Sequence, residues 1–393
     1  MKNFTLLFLI LITITQADEF DMFDEIDKTE DIKAFREDKS FINARLKLSY
    51  QYNEEADSDK KLYLNLNKNE KNYQVDIRII GDEGDSSFNL KELYYKGKIS
   101  EKNLFEIGRV NIKEGVARGF NPTDYFKGTT SLTLSSDPKD RKDNRLGAFL
   151  IQDTIFFDEV TVKTIYSPKI SVDSDKLLSD KAHYGLYLNE TNYDDRASLY
   201  LGYSGVKDMS SSVIFHMNED DLNIGLNLSY ISGAWIFYSE SSIKDEDFYQ
   251  STLGINYTSQ NSIVSSLEYI YNRDGLDSSE WDSWFSGIKS NPILAQEFGE
   301  LRAKVSIEES IMSRDTLFLL SRASDIETNL DASLMVWLNP YDKSTLSQVG
   351  LEYALQDDIQ TNVYLRNYLG SDDTEYGSFA ESYQILIEGE YYF

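Results

Sequence analysis

Few side chains in this chain could make or break bonds. There are two histidines, His183 and His216, and no cysteine. A thiol nucleophile, a thiolate metal centre and a histidine-rich metal site are therefore out of reach, and imidazole could supply one general base at most. Neither histidine follows an aspartate, and a Ser or His without an orienting partner is an ordinary polar residue. Acidic clusters such as NEEADSD and GDEGD lack complete calcium-loop spacing. No catalytic residue, metal ligand or cofactor is assigned on these grounds. What remains is the chemistry of charge: Arg45, Lys47, Arg78, Lys96 and Arg109, with Glu388 and Glu390 near the end of the chain. All of these sit on one phase of segments that alternate polar and apolar residues.

That alternation describes the elements that must position them. In FINARLKLSYQY, Ile42, Ala44, Leu46, Leu48, Tyr50 and Tyr52 share one face, opposite Asn43, Arg45, Lys47, Ser49 and Gln51. NYQVDIRII and LNIGLNLSYI repeat the device. Weaker copies recur at 61–68, 91–99, 103–112, 146–153, 159–166, 183–189, 196–203, 211–217, 234–240, 249–258, 262–271, 315–322, 329–338, 346–355 and 360–368. Punctuation such as KNEK, NEDD, SQN and QDD separates many of them. The chain closes on YQILIEGEYYF, where Tyr383, Ile385, Ile387, Tyr391 and Phe393 share the apolar phase and Glu388 and Glu390 the other. An unpaired strand of that kind would be an aggregation hazard, so it needs a neighbour, expected to be the first strand near 41–52.

Mean hydropathy is -0.45 and net charge -28, values of a soluble protein. A membrane barrel removes the contradiction, because only alternate residues face lipid while the others face water. The predicted fold is all-β: a transmembrane antiparallel up-and-down β-barrel of about 18 strands, within a range of 16 to 20. The segments number 19, and bacterial barrels have an even number. Either a strand hides near 299–307, giving 20, or one weak segment belongs to a loop, giving 18, the favoured count. Tyrosines near strand ends suit an aromatic girdle.

The N-terminus sets the compartment. MKNFTLLFLILITITQADEF has a basic residue, an apolar run too short to span as a helix and a small-residue site before Asp18, the layout of a cleaved signal peptide over 1–17. An acidic segment, 18–40, is expected to lie in the periplasm, and 41–393 to form the barrel in a bacterial outer membrane. Two connections exceed hairpin turns, 113–144 and 272–298. Loops of this size cover the mouth or fold inward and narrow the lumen.

The first of them carries a motif. GRVNIKEGVARGFNPTDYFKG, with Arg145-Leu146-Gly147 farther on, resembles a pattern in a broad group of porin-like outer-membrane β-barrel proteins. The matching positions are Gly108-Arg109, Gly115, Gly119 and Asn121-Pro122-Thr123-Asp124. Glu114 stands where that group often has Trp. The terminal segment resembles the signature read by the barrel-assembly machinery, with Phe393 last. From its own residues, the motif reads as a rigid Asn-Pro-x-Asp turn anchored against the inner wall. His216 lacks the His-x-Ser arrangement of the barrel phospholipases.

The expectation is a passive channel for small polar or anionic solutes, a monomer or homotrimer, lying in lipid and lipopolysaccharide and having no nucleic-acid partner. A barrel that handles lipid or hydrophobic compounds with a periplasmic or inner-membrane partner is the alternative, and a plugged structural or adhesin barrel is another.

Overall fold

The computed structural model describes residues 42–54, 58–82, 85–127, 142, 145–171, 188–219, 221–244, 249–307, 310–379 and 381–393. The leader 1–17, the acidic segment 18–40 and His183 lie outside them. Within them the chain forms β1 (Asn43–Asn53), β2 (Asp59–Asn69), β3 (Tyr73–Asp82), β4 (Asp85–Ser100), β5 (Asn103–Val110) and β6 (Ala148–Phe156). β7 (Val160–Ser167), β8 (Arg196–Val206), β9 (Met209–Asn218), β10 (Asp221–Ser232), β11 (Trp235–Ile243) and β12 (Tyr249–Thr258) continue the wall. β13 (Ile263–Asn272), β14 (Asp315–Glu327), β15 (Leu330–Leu338), β16 (Thr345–Gln356), β17 (Ile359–Leu369) and β18 (Tyr383–Tyr392) complete it.

Each strand pairs antiparallel with its sequence neighbours, and β1 pairs with both β2 and β18, so the 18-stranded sheet is closed. The last strand does find the first: Tyr391 sits opposite Leu46, Ile387 opposite Tyr50, and the Phe393 N–H donates to the Ala44 carbonyl at 2.9 Å. Closure leaves no free edge.

The period-2 pattern explains which side chains go where. On β10, Leu226, Leu228 and Tyr230 are exposed on the outer surface while Asn227 and Ser229 are buried toward the lumen. A polar lumen wall and an apolar outer band are what a spanning strand requires. Lys207-Asp208, Gly233-Ala234, Thr328-Asn329 and Asp357-Asp358 are two-residue hairpin turns, all at the end of the barrel that holds the chain termini. Asp208, Asn329 and Gly233 have φ of 64°, 64° and 62°, the left-handed conformation that tight turns demand of Asp, Asn and Gly. The longest connections lie at the opposite end.

The connection between β13 and β14 is helical. α1 (Leu188–Thr191) is a single turn, whereas α2 (Ser278–Ser290) and α3 (Pro292–Ile307) form a hairpin. α2 starts with a capping box between Asp277 and Glu280, and α3 starts at a proline, which has no amide hydrogen to leave unpaired. Trp281, Phe285, Phe298 and Met312 form its core. The strand contemplated near 299–307 is therefore part of α3. The surplus segment is 183–189: residues 183–187 lie outside the described residues, and the remaining two belong to α1. The helical connection also runs past 298, to the start of β14 at Asp315.

Candidate functional site

The segment following β5 turns into the lumen and crosses to the far wall. Two buried carboxyl groups hold it there. Glu240 of β11 accepts from the Val116 and Ala117 amides, from Asn121 Nδ2 at 3.2 Å and from Thr123 Oγ1 at 3.1 Å. Glu268 of β13 accepts from the Arg118 amide, from the Gly119 amide at 3.0 Å and from the Tyr238 hydroxyl at 2.6 Å. Both acids are fully buried. Backbone amides of a loop have no ladder partner, and a carboxyl group aimed from the wall satisfies them at this depth. Thr252 Oγ1 donates to the Phe120 carbonyl at 2.8 Å and the Tyr125 hydroxyl lies 2.9 Å from Ser242 Oγ.

Every residue of the turn motif has a place in this docking. Gly115 has φ +92°, and a Cβ there would lie 2.7 Å from the Glu240 carboxyl oxygens. Gly119 passes against the Phe318 ring. Asn121 bridges the Ala117 carbonyl at 2.8 Å and Glu240. Pro122, buried, sits within the turn. Asp124 accepts from Arg145 Nη1 at 2.7 Å, in a pair withdrawn from solvent. Asn-Pro-Thr-Asp and Arg145 are thus joined in space across the connection. Glu114, the departure from the motif, is ion-paired with Lys163 of β7.

His216 belongs to the same docking. Its ring stacks on Tyr125 with centroids 4.7 Å apart and 7° between planes, Phe126 meets it edge-on at 5.6 Å, and its Nδ1 lies 2.7 Å from Ser198 Oγ. The imidazole is 2 % exposed and packs beneath the loop as a wall residue. Arg196 lies over Phe126 at 4.8 Å.

Across the lumen from β11–β14 stands a charged wall. Lys47 reaches Glu388 at 2.5 Å and Arg45 reaches Glu390 at 3.6 Å, so the seam between β1 and β18 is crossed by ion pairs. Arg78 is buried, donating to Asn65 Oδ1 at 2.6 Å, and the Tyr63 ring lies between Lys47 and Arg78 at 5.5 and 6.0 Å. Lys96 donates to Asn69 Oδ1 at 2.6 Å near the termini end. A bulge between Asp76 and Ile77 places Lys91 against Asp76 at 2.7 Å and Glu92 within 3.3 Å of Gln74.

Arg109 departs from this row. It is paired in register with Leu93 and Phe149, whose side chains face outward, and it follows Gly108 at φ +134°. The Arg109 side chain is nevertheless 4 % exposed, and its neighbour Val110 is buried too, in a cluster with Ile112, Phe126, Ala148, Leu150 and Ile165. Arg109 Nε donates to the Gly147 carbonyl at 2.8 Å. On β18, Tyr383, Ile385, Ile387 and Tyr391 fall on the outward phase, with Tyr391 packed edge-on against Phe393 at 4.6 Å.

Three features escape a reading of motifs. Glu240 and Glu268 were detectable as the sole acids of WIFYSESSI and IVSSLEYIYN, each on the inward phase among hydroxyl and aromatic neighbours. Glu375, in the connection between β17 and β18, is the hub of the outer loops. Its carboxyl accepts from Ser313 Oγ at 2.6 Å and Asn339 Nδ2 at 3.0 Å, its amide donates to Asp342 at 2.6 Å, and its carbonyl accepts from Arg302 at 2.7 Å. Burial pushes its carboxyl up to about 7. Arg366 on β17 is the third, held by Gln348 and Gln384.

No protein-family model matches the chain, and comparison with curated proteins finds no match. Among solved structures, OccK11 (OpdR) of Pseudomonas aeruginosa is similar in fold, with 10% identity, a TM-score of 0.54, and 89% of this chain and 95% of that one covered. Wzi of Escherichia coli, an outer-membrane protein of group 1 capsule assembly described as a carbohydrate-binding β-barrel, is similar at 10% identity and TM-score 0.54, with 95% and 89% covered. The shared feature is the fold, that of a bacterial outer-membrane β-barrel.

Proposed function

We propose that this chain is a porin-like channel of the bacterial outer membrane, passing small polar or anionic solutes by diffusion through a lumen narrowed by residues 111–127. One observation carries the reading: a loop docked inside a closed polar barrel on Glu240 and Glu268, opposite a wall bearing Lys47, Arg78 and Lys91. A loop so held reduces the cross-section without detaching from the wall, and the charge of the remaining wall then biases what passes. Arg109, whose buried side chain donates to the Gly147 carbonyl, is not among the groups proposed to set that bias. The leader at 1–17, the terminal Phe393 and the Asn-Pro-Thr-Asp motif support export, assembly into the outer membrane and kinship with the porin-like group.

The lipid-handling reading gains little support. The apolar cluster of Ile270, Phe318, Met335, Trp337, Leu346 and Tyr368 inside the barrel is filled by the chain's own Phe120 and Ile311, with Phe379 packed beside them. The β1–β18 seam is paired from Arg45–Tyr392 to Asn53–Gln384. That same filling favours a second reading, a closed barrel that binds solute at its mouth, as Wzi is described as binding carbohydrate. Planar bilayers separate the two. Ohmic single-channel steps are expected for the channel, and silence from folded, inserted protein refutes it. In a conducting channel Lys47→Glu is expected to move the reversal potential toward cations.

A further inference from the structure

Most of the lumen-facing cations have an acid within reach. Lys47 has Glu388, Arg45 has Glu390, Lys61 has Asp59 at 2.5 Å, Lys91 has Asp76 and Lys163 has Glu114. Arg366 is built differently. Its Nε and Nη2 donate to Gln348 Oε1 at 3.1 and 2.8 Å, and its Nη1 to Gln384 Oε1 at 3.2 Å. Both acceptors are neutral amide oxygens.

We infer that Arg366, with Gln348 and Gln384, forms a binding point inside the lumen for a solute bearing a carboxylate, an inference that rests on the channel reading for the solute's route of entry. A guanidinium has five N–H donors. Three are engaged, which leaves one on each terminal nitrogen, and two such donors in one plane are what a carboxylate takes in bidentate fashion. Amide partners hold the fork in position without cancelling its charge, as a carboxylate partner would. Arg366 is half-buried, in contact with the aqueous side, while Gln348 behind it is buried.

The surroundings fix the fork. Met335, Gln348, Arg366 and Gln384 are register partners across β15 to β18 and so share one inward row. The next row toward the outer loops, Trp337, Leu346 and Tyr368, is roofed by Phe379 stacked on Tyr368 at 4.6 Å. The Tyr368 hydroxyl donates to Gln384 Oε1 at 3.1 Å, and Gln384 Nε2 donates to Glu381, fixing which end of the amide faces the arginine. Glu381 thus meets Arg366 only through that amide. Glu352, on the neighbouring strand, is engaged by the Tyr364 hydroxyl at 3.0 Å. The bound group would sit beneath an aromatic roof, beside Tyr364.

The test uses the full-length barrel in detergent micelles, titrated calorimetrically with sodium benzoate, inorganic phosphate and benzyl alcohol. Wild type is expected to bind benzoate in preference to both other probes, and Arg366→Gln to lose roughly tenfold or more in affinity. Gln348→Glu, which sets a neutralising acid against the guanidinium at almost unchanged volume, is expected to lose benzoate as well while the barrel stays folded by circular dichroism. Equal benzoate affinity in wild type and Arg366→Gln would overturn the site. Benzyl alcohol binding as well as benzoate would overturn the charge assignment, and phosphate in preference to benzoate would overturn the carboxylate assignment. In bilayers, benzoate is expected to reduce wild-type conductance and leave Arg366→Gln unaffected. An absence of conductance with benzoate still bound in micelles would sink the channel reading and leave the site standing, so the two failures are distinguishable.

Discussion

Replacing Glu240 by alanine tests whether the inward loop is held by its wall acids. The substitution removes the acceptor of four donors: the Val116 and Ala117 amides, Asn121 Nδ2 and Thr123 Oγ1. Asn121 keeps the Ala117 carbonyl. The other three lose the partner that satisfies them, and a buried donor left unsatisfied costs about 1–3 kcal/mol. Water entering from the lumen offsets part of this, so the lower bound, about 3 kcal/mol for the three, is the working figure. That corresponds to a shift of roughly 150-fold in the docked-to-undocked ratio. The chain has no cysteine, so a single thiol at Ala117→Cys, a position 2 % exposed, reports undocking through its labelling rate with a water-soluble maleimide. We expect Glu240→Ala to raise that rate about a hundredfold, with larger and noisier single-channel conductance, and Glu240→Gln, which keeps one acceptor oxygen, to fall between. The barrel itself should survive, because its strand ladder does not pass through Glu240's side chain. Unchanged labelling and conductance in a folded Glu240→Ala barrel would refute the clamp.

Other expectations follow from the same geometry. Glu375 has its carboxyl raised from an ordinary 4.5 to about 7 by burial, with Asp342 adding to the rise and Ser313, Asn339 and Arg302 opposing it. The docked outer loops therefore favour the protonated acid: their stability is full below about pH 4.5 and is lost as pH rises to 7, by about 3 kcal/mol in all. Hydrogen exchange of α2 and α3 should accelerate across that window in wild type and stay flat in Glu375→Gln; a flat wild-type profile would exclude the linkage. Asp124→Asn, which removes the charge facing Arg145 in a pair 2.7 Å long and withdrawn from solvent, should cost about 3–5 kcal/mol in denaturant stability. The Asp124→Asn, Arg145→Met double variant should cost less than the sum, and strict additivity would deny the pairing. Gly254→Ala places a methyl group 2.1 Å from the Tyr238 ring, which must then swing away from Glu268. It should raise Ala117→Cys labelling more than Tyr238→Phe, which deletes the hydroxyl alone.

The barrel was legible because its physics is local: alternation along a strand tells the two faces apart whatever the rest of the chain does. Closure of β18 on β1 could be read from Tyr383, Ile385, Ile387, Tyr391 and Phe393, since an apolar last strand must pair. The segment at 183–189 shows the limit of that signal, since its last two residues, the only ones described, begin α1 at Leu188 rather than a strand. Residues 299–307 show the same limit inside α3. Arg109 shares its phase with the outward Ile107, Leu93 and Phe149, yet its side chain is 4 % exposed, because the chain turns at Gly108, φ +134°, and simple alternation does not carry through such a residue. The partners of the loop were the hardest to foresee. Glu240 is 124 residues from Val116 in sequence and Glu268 is 149 from Gly119, and no local pattern encodes a contact made only once the barrel has closed.

The two halves of the inner wall then have separate tasks, and charge is what divides them. On β11 and β13, acids are spent on the chain's own amides, so Glu240 and Glu268 present no carboxyl oxygen free of a donor to a passing solute. On β1 to β4 and the adjoining β18, cations stand beside acids, as in Lys47–Glu388 and Lys91–Asp76, while Arg78 donates to the neutral amide oxygen of Asn65, so the charge of this wall is only partly offset. A lumen built this way does not inherit the strong negative charge of the whole chain, -28. Selectivity then comes from groups whose charge is held without being fully offset, and Arg78 on this wall and the amide-flanked guanidinium of Arg366 are such groups. Reversing Arg366 is therefore expected to change which solutes pass far more than would reversing any one charge in the outer acidic loops, where salt screens a charge within about 10 Å.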